Sequence, residues 1–155
     1  VKALAYVLSL GPEGILAASR GAVLNANYLR KKLSGVYKMA FDRTCMHEFV
    51  MTLEPEKADV HVTAMDVAKA LLDHGIHPPT MYFPLIVHEA LMVEPTETES
   101  KESLDELLHA FLEIHQRALA DPEDIRSCPH TTQVLRLDEV TAARHPVVHY
   151  QWPQA

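Results

Sequence analysis

Residues 63–93, TAMDVAKALLDHGIHPPTMYFPLIVHEALMV, contain most of what decides the fold. Thr63 is a favourable helix N-cap, and Asp66 stands three residues later, which is the spacing of a capping box. Gly75 is expected to end this helix, because glycine is common just beyond a helix C-terminus. The buried stripe of the predicted helix consists of Met65, Ala68, Leu71 and Leu72.

Extended structure is predicted for the rest of this stretch. Pro78 and Pro79 prevent residues 76–80 from forming a helix, since proline fixes φ and removes a backbone donor. The apolar runs 81–87 and 90–93 are predicted to be strands. Pro84 lacks an N–H, so the strand 81–87 should lie at a sheet edge or contain a bulge.

The residues before this stretch predict two helices and a hairpin. Gly11-Pro12 should separate the two helices, and Ser34-Gly35 should end the second one. Asp42-Arg43-Thr44 is a polar turn between two extended runs, in the second of which apolar and polar residues alternate. The predicted helices cover 1–10 and 13–33, the strands cover 36–41 and 47–53, and residues 54–59 are predicted to be a loop.

The last predicted helix covers residues 100–120. Its apolar face consists of Leu104, Leu107, Leu108, Phe111, Leu112, His115 and Leu119. Asp121-Pro122 should end it. Hairpins interleaved with single helices predict an α+β fold, an antiparallel or mixed sheet with helices on one face. We expect a helical segment over 1–34, an α+β domain over 35–124 and an extended tail over 125–155.

Composition excludes several classes of function. With 155 residues and 48% hydrophobic content, the chain can bury one core. Its net charge of −7 disfavours nucleic acid as a partner, and no apolar run is long enough to span a membrane. Cys45 and Cys128 form no CxxC pair, which favours a reducing cytoplasm. Because Val1 lies inside an apolar pattern, we expect a piece of a longer protein.

The histidines do not predict a metal site. His47-Glu48 could begin an HExxH motif, but Met51 occupies the position of the second histidine. The segment His77-Pro78-Pro79-Thr80 holds an imidazole and a hydroxyl on a rigid backbone, and it is either a plain connector or part of a site. Helix capping explains most of the segment 94–100, but it does not explain Glu94 at the end of a strand.

Five motifs in this order carry a family resemblance: Leu24-Asn25-Ala26-Asn27-Tyr28-Leu29, Met46-His47-Glu48-Phe49, Asp66-Val67-Ala68-Lys69, Gly75-Ile76-His77-Pro78-Pro79-Thr80-Met81 and Leu91-Met92-Val93-Glu94-Pro95-Thr96-Glu97-Thr98-Glu99-Ser100-Lys101. Together they resemble the C-terminal region of the glycine cleavage system P-protein, a pyridoxal-phosphate-dependent glycine dehydrogenase (decarboxylating). The strings Cys128-Pro129-His130-Thr131-Thr132 and Arg136-Leu137-Asp138-Glu139 resemble the second subunit of its two-subunit bacterial form.

This resemblance implies the small C-terminal domain of a fold-type I pyridoxal-phosphate enzyme. The family decarboxylates glycine and passes the aminomethyl group to a lipoyl carrier (H) protein. The cofactor lysine is expected upstream, so we expect no catalytic residue in this chain, no cofactor bound to it alone, and no activity without the first subunit. The residues expected to line the cleft are His77, Thr80, Glu94, Thr96 and Glu97, with His47 and Glu48 as second choices.

Two other interpretations remain open at this stage. The chain could be the small domain of another fold-type I enzyme, such as an aminotransferase. It could also be a non-catalytic binding or regulatory α+β module. The five collinear motifs argue against the first, and the apolar start at Val1 argues against the second, because a self-sufficient domain seldom exposes such a helix.

Overall fold

The computed structural model describes residues 1–152 and begins with the long helix α1 (Lys2–Leu33). Gly11 interrupts this helix with φ 63° and ψ −178°, immediately before Pro12. Glycine tolerates that left-handed φ because it has no Cβ. The predicted break between two helical segments at Gly11-Pro12 is therefore confirmed. α1 ends at Leu33 with Ser34 as its C-cap.

Four short strands form one antiparallel sheet in the order β1-β2-β4-β3. They are β1 (Lys38–Met39), β2 (Phe49–Thr52), β3 (Thr80–Met81) and β4 (Ala90–Val93). The other helices are α2 (Glu54–Val60), α3 (Ala64–Asp73), α4 (Lys101–Ala120), α5 (Pro122–Ser127) and α6 (Glu139–Arg144). The α+β class expected from the sequence is confirmed, and the sheet is antiparallel rather than mixed.

The core lies between one face of the sheet and the helices. Phe49 pairs with Val93 and Met51 pairs with Leu91 across β2 and β4, so these four side chains share a face. They belong to one buried cluster with residues of α1, α3 and α4, which include Leu29, Leu33, Leu71, Phe111 and Ile114. Tyr37 is 2% exposed and donates its hydroxyl proton to the carbonyl of Phe111 at 2.8 Å.

The capping box that begins α3 is present as predicted. Asp66 donates its backbone N–H to Thr63 Oγ1 at 3.3 Å, and the backbone N–H of Thr63 donates to Asp66 Oδ2 at 2.8 Å. Gly75 follows the C-cap His74 with φ 70°. The predicted stripe is right for Ala68 and Leu71, which are buried, whereas Met65 and Leu72 are half-buried.

Two of the predicted elements are wrong. Residues 54–59 are not a loop but most of α2, which has Pro55 in its first turn and acidic residues beside it. The predicted strand 81–87 stops at Met81, since Tyr82 takes a left-handed φ of 57° and Pro84 has no N–H for the ladder. Residues 82–89 form a loop instead.

The C-terminal part also differs from the prediction. α4 begins after the N-cap Ser100 as expected, but Leu119 is 58% exposed, and Ala110, Ile114 and Ala118 are buried instead. Asp121 ends α4 and also caps α5 by accepting the N–H of Glu123. The expected extended tail over 125–155 contains the end of α5 and all of α6, and its last residues, 153–155, lie outside the described part of the chain. Within residues 1–152, no helix is long and apolar enough to cross a membrane.

Candidate functional site

An open groove of about 1050 Å³, here called groove 1, is bounded by two loops and the first half of α4. The first loop joins α3 to β3 and contributes His77, and the second joins β4 to α4 and contributes Glu94 and Thr96. His77 is distant in sequence from Glu94 and Thr96, but all three side chains line one surface. Groove 1 is therefore the place where three of the seven sequence-predicted candidates meet.

The loop that carries Glu94 is held in a specific conformation. Pro95 is buried, and Thr96 has a left-handed φ of 61°, which is uncommon for a β-branched residue. The side-chain amide of Asn25 in α1 donates to the carbonyl of Thr96 at 2.9 Å and to that of Glu99 at 3.1 Å. These hydrogen bonds satisfy two backbone carbonyl groups of the turn and attach the turn to α1.

His47 and Glu48 lie beside this loop, at the edge of a second groove. Groove 2 has a volume of about 590 Å³ and is lined on the sheet side by Val50 and Met92, which face away from the core. His47 Nε2 lies 3.9 Å from Glu94 Oε1 and 3.9 Å from Glu48 Oε2. His47 and Glu94 therefore connect the two grooves.

Two of the predicted candidates line neither groove. Thr80 is exposed in β3, opposite Met92. Glu97 turns toward α1, where its Oε1 accepts the hydroxyl proton of Tyr6 at 3.4 Å. Its Cβ would lie only 3.3 Å from a Cβ placed on Gly21, so Glu97 packs closely on this glycine. Both residues therefore lie in the structure that surrounds the grooves and not in the lining of either groove.

Groove 1 is acidic. Its lining includes the carboxylates of Glu94, Glu99, Glu102, Asp105 and Glu106, with no lysine or arginine among the lining residues described. Hydrogen bonds to Lys101 and Tyr28 lower the pKa of Asp105. Hydrogen bonding to its own backbone N–H and to Ser100 lowers the pKa of Glu102. Both carboxyls stay ionised at neutral pH, so groove 1 repels anions and favours cationic groups.

The residues present do not fit covalently bound pyridoxal phosphate. A Schiff base needs a lysine amine, and the described lining of both grooves includes none. The phosphate also needs cationic or N–H donors, and the surplus of carboxylates in groove 1 opposes it. The single guanidinium among the lining residues is that of Arg43, in groove 2. The described lining of the two grooves thus lacks the groups that the cofactor's covalent and phosphate sites need.

Among the residues that the structure describes, one cluster has the residue types of a metal site. Ligand atoms of Asp73, Cys128 and His130 lie within 4.8 Å of one another. Both Asp73 oxygens, however, accept hydrogen bonds from the N–H of His130, at 2.7 and 2.9 Å. The N–H of Thr131 also donates to Asp73 Oδ1 at 2.7 Å. Burial raises the pKa of Cys128 to about 11, which disfavours the thiolate that metals require. Hydrogen bonding explains this cluster without a metal.

Sequence reasoning missed several residues around the grooves. His74 and His109 line groove 1, and Arg43 lines groove 2. Asn25 and Asn27 stand in the first resemblance motif, but their partners are distant in sequence. Unusual polar residues within the helical pattern of α1 were the available signal, since asparagine is unfavourable in a helix interior without a specific partner.

Comparison with known proteins identifies a family to which this chain is similar. A family model described as "Glycine dehydrogenase, C-terminal domain" matches residues 18–136. The chain is 56% identical over 151 residues to the probable glycine dehydrogenase (decarboxylating) subunit 2 of Treponema denticola. The protein of the same name from Caldanaerobacter subterraneus is 55% identical over 150 residues, and that from Bacillus cytotoxicus is 49% identical over 153 residues.

These alignments cover 97%, 97% and 99% of this chain, respectively, but only 31% of each relative. The chain thus spans about a third of the length of the curated relatives it matches. The family model, however, matches well over half of this chain. The chain belongs to the family of glycine dehydrogenase C-terminal domains.

Proposed function

We propose that this chain forms one wall of the active-site cleft in a complete glycine dehydrogenase (decarboxylating) of the glycine cleavage system. That enzyme would decarboxylate glycine and pass the aminomethyl group to a lipoyl carrier protein. The observation that carries the proposal is groove 1, where His77, Glu94 and Thr96 line one surface. The reaction type is taken from the names of the relatives. The relatives are about three times as long as this chain, which is consistent with the other parts of the enzyme lying outside it.

The role assigned to this wall is to orient substrate and to hold protons at defined atoms. His77 stands on a backbone stiffened by two prolines, so placing its imidazole costs little conformational entropy. Glu94 Oε1 lies 3.9 Å from His47 Nε2, close enough for a proton to be shared through one small movement or one water. The cofactor, when bound in the complete enzyme, supplies the electron sink. Its lysine and phosphate site belong to the rest of the protein.

The acidity of groove 1 limits what this wall can bind. Its carboxylates would attract the ammonium group of glycine and repel the carboxylate. We therefore assign the binding of the glycine carboxylate to a basic group outside groove 1. The remaining partners are a first subunit, inferred from the words "subunit 2" in the relatives' names, and the lipoyl carrier protein, with the cytoplasm as the compartment.

The test is mutation of Glu94→Gln and His77→Gln in the complete enzyme with its partner subunit. Each change should lower kcat for glycine–bicarbonate exchange by roughly 10²-fold, the usual contribution of one positioned proton-transfer group. Glu123→Gln is the matched control, because Glu123 is an exposed carboxylate paired with Arg126 on α5 and lies outside both grooves. Wild-type exchange rates in both groove variants would remove this wall from the active site.

A further inference from the structure

Two asparagines of α1 make hydrogen bonds that reach across the fold. Asn25 donates to the carbonyls of Thr96 and Glu99, at 2.9 and 3.1 Å. Asn27 donates its amide to the carbonyl of Cys45 at 2.7 Å and accepts the N–H of Cys45 at 3.0 Å. The side chain of Asn27 thereby pairs with both polar groups of one residue, as a neighbouring strand would.

The two side chains leave α1 on opposite flanks. Residues two apart on an α-helix are separated by about 200° around its axis, since one turn takes about 3.6 residues. Ala26, between them, is fully buried. One turn before Asn25, Gly21 allows close approach of Glu97, whose Cβ would stand 3.3 Å from any Cβ added there. α1 thus lies between the loop of Cys45 and the loop of Thr96 and contacts both.

Each asparagine forms a hydrogen bond to a residue that lies two positions from a groove residue. Cys45 precedes His47 by two positions, and Thr96 follows Glu94 by two positions. The side chains of His47 and Glu94 are about half exposed, at 54% and 49%, and their 3.9 Å separation is too long for a direct hydrogen bond. The spacing of this pair therefore depends on the backbones that carry it: the pairing of Phe49 with Val93 between β2 and β4, and the two loops that continue from these strands.

We propose that Asn25 and Asn27 are positioning residues, which set the distance between His47 and Glu94 by fixing their loops to opposite flanks of α1. The proposal rests on the proposed function, because it assigns His47 and Glu94 to the working face of the cleft. Asn25 also stabilises the left-handed Thr96, whose conformation directs the chain after Glu94. Removal of either asparagine side chain releases one loop from α1 and increases the distance between His47 and Glu94.

The test uses Asn25→Ala and Asn27→Ala in the complete enzyme with its partner subunit. Displacements near 1 Å can cost on the order of 10²-fold in rate, so each variant should lose roughly 10- to 100-fold in kcat, with KM for glycine changed less. Asn27→Asp keeps an acceptor for the N–H of Cys45 but loses the donor to its carbonyl, and should fall between. Ser19→Ala is the control, because within residues 1–152 the Ser19 hydroxyl donates only to the carbonyl of Ile15, one turn earlier in α1.

A double-mutant cycle with Glu94→Gln separates positioning from general destabilisation. If the asparagines act through the pair, Asn25→Ala and Asn27→Ala should have little further effect on kcat in the Glu94→Gln background. Undiminished further loss there would show a structural role and overturn the inference. Hydrogen exchange of the segment containing the Cys45 amide should also accelerate in Asn27→Ala, and unchanged exchange would equally overturn it.

The outcomes distinguish the two proposals. An impaired Glu94→Gln enzyme together with wild-type kcat in both alanine variants would reject the positioning role and leave the proposed function intact. Wild-type activity in Glu94→Gln and in His47→Gln would reject the pair as part of the site, and the positioning role with it. Both results are read from one set of kinetic measurements.

Discussion

At the scale of single residues, the structure places side by side a histidine and a glutamate whose ionisation is opposed by burial. His115 Nδ1 lies 3.5 Å from Glu56 Oε1, a separation that suggests a salt bridge. Burial, however, raises the pKa of Glu56 and lowers the pKa of His115. Both shifts disfavour the charged forms and so weaken an ion pair between these two groups. His115 also packs edge-on against Tyr37.

Asp73 shows the opposite behaviour and gives a pH-dependent prediction. Burial opposes its ionisation, but the N–H groups of Thr131 and His130 and the hydroxyl of Thr131 outweigh this and lower its pKa. A lowered folded-state pKa stabilises the fold above the unfolded value of about 3.9, and this stability is lost as pH falls through the folded pKa. Asp73→Asn should therefore cost about 1–3 kcal/mol near neutral pH.

The measurement is urea unfolding of the wild type and Asp73→Asn from pH 7 down to pH 3. The difference in their free energies of unfolding should stay constant above about pH 5 and shrink below it, because the unfolded chain binds a proton at Asp73 there before the folded chain does. Asp121→Asn is a suitable comparison, since Asp121 caps α5 on the exposed surface and accepts one backbone N–H. A difference that does not depend on pH would mean that the charge of Asp73 is not what holds residues 130–131.

At the scale of elements, the sequence predicts what depends on neighbouring residues and fails where distant contacts decide. The capping box of Thr63 and the break at Gly11 are local, and both are present. The helix α2 was missed because seven residues give too little periodicity to recognise, although Pro55 in its first turn was a signal. Groove 1 was predictable only as separate motifs, because the contact of Asn25 with Thr96 spans 71 residues.

Substitution of Gly75 tests whether the left-handed turn after α3 contributes to stability. Its φ of 70° lies in the left-handed region, and the N–H of Gly75 and of Ile76 donate to carbonyls of the last turn. Gly75→Ala should cost about 1 kcal/mol, since a Cβ is strained at this φ. Gly35→Ala is the matched control. Both sites have open space for a Cβ, but Gly35 lies outside the left-handed region.

Thermal and urea unfolding of the two variants would be compared directly. Gly35→Ala should be neutral or slightly stabilising, because it reduces the entropy of the unfolded chain without strain. If Gly75→Ala were as stable as Gly35→Ala, the left-handed turn after α3 would not be required for the fold. The position of His77 at groove 1, two residues later, would then need another explanation.

At the scale of the whole molecule, the apolar surface is distributed unevenly. The second half of α1 reaches the core through Ala26, Leu29 and Leu33, while Leu4, Leu8 and Leu16 are 63%, 73% and 50% exposed. Near the other end, Arg136 ties the chain to the start of α3 through Asp66 at 2.7 Å, and residues beyond it expose Val147 and Trp152. Both regions favour burial against further protein, since exposed apolar surface of this kind is typical of interfaces.

The composition of the two grooves predicts how the isolated chain behaves when it is mixed with pyridoxal phosphate. Neither groove has a lysine among its described lining residues, and groove 1 carries a surplus of carboxylates. The isolated chain should therefore show no specific pyridoxal phosphate absorbance and no glycine–bicarbonate exchange. Borohydride reduction after mixing, followed by mass spectrometry, should find only substoichiometric adducts spread over exposed lysines. A stoichiometric adduct on one lysine would mean that this wall holds the cofactor itself, and the division of labour proposed between this chain and the rest of the enzyme would be wrong.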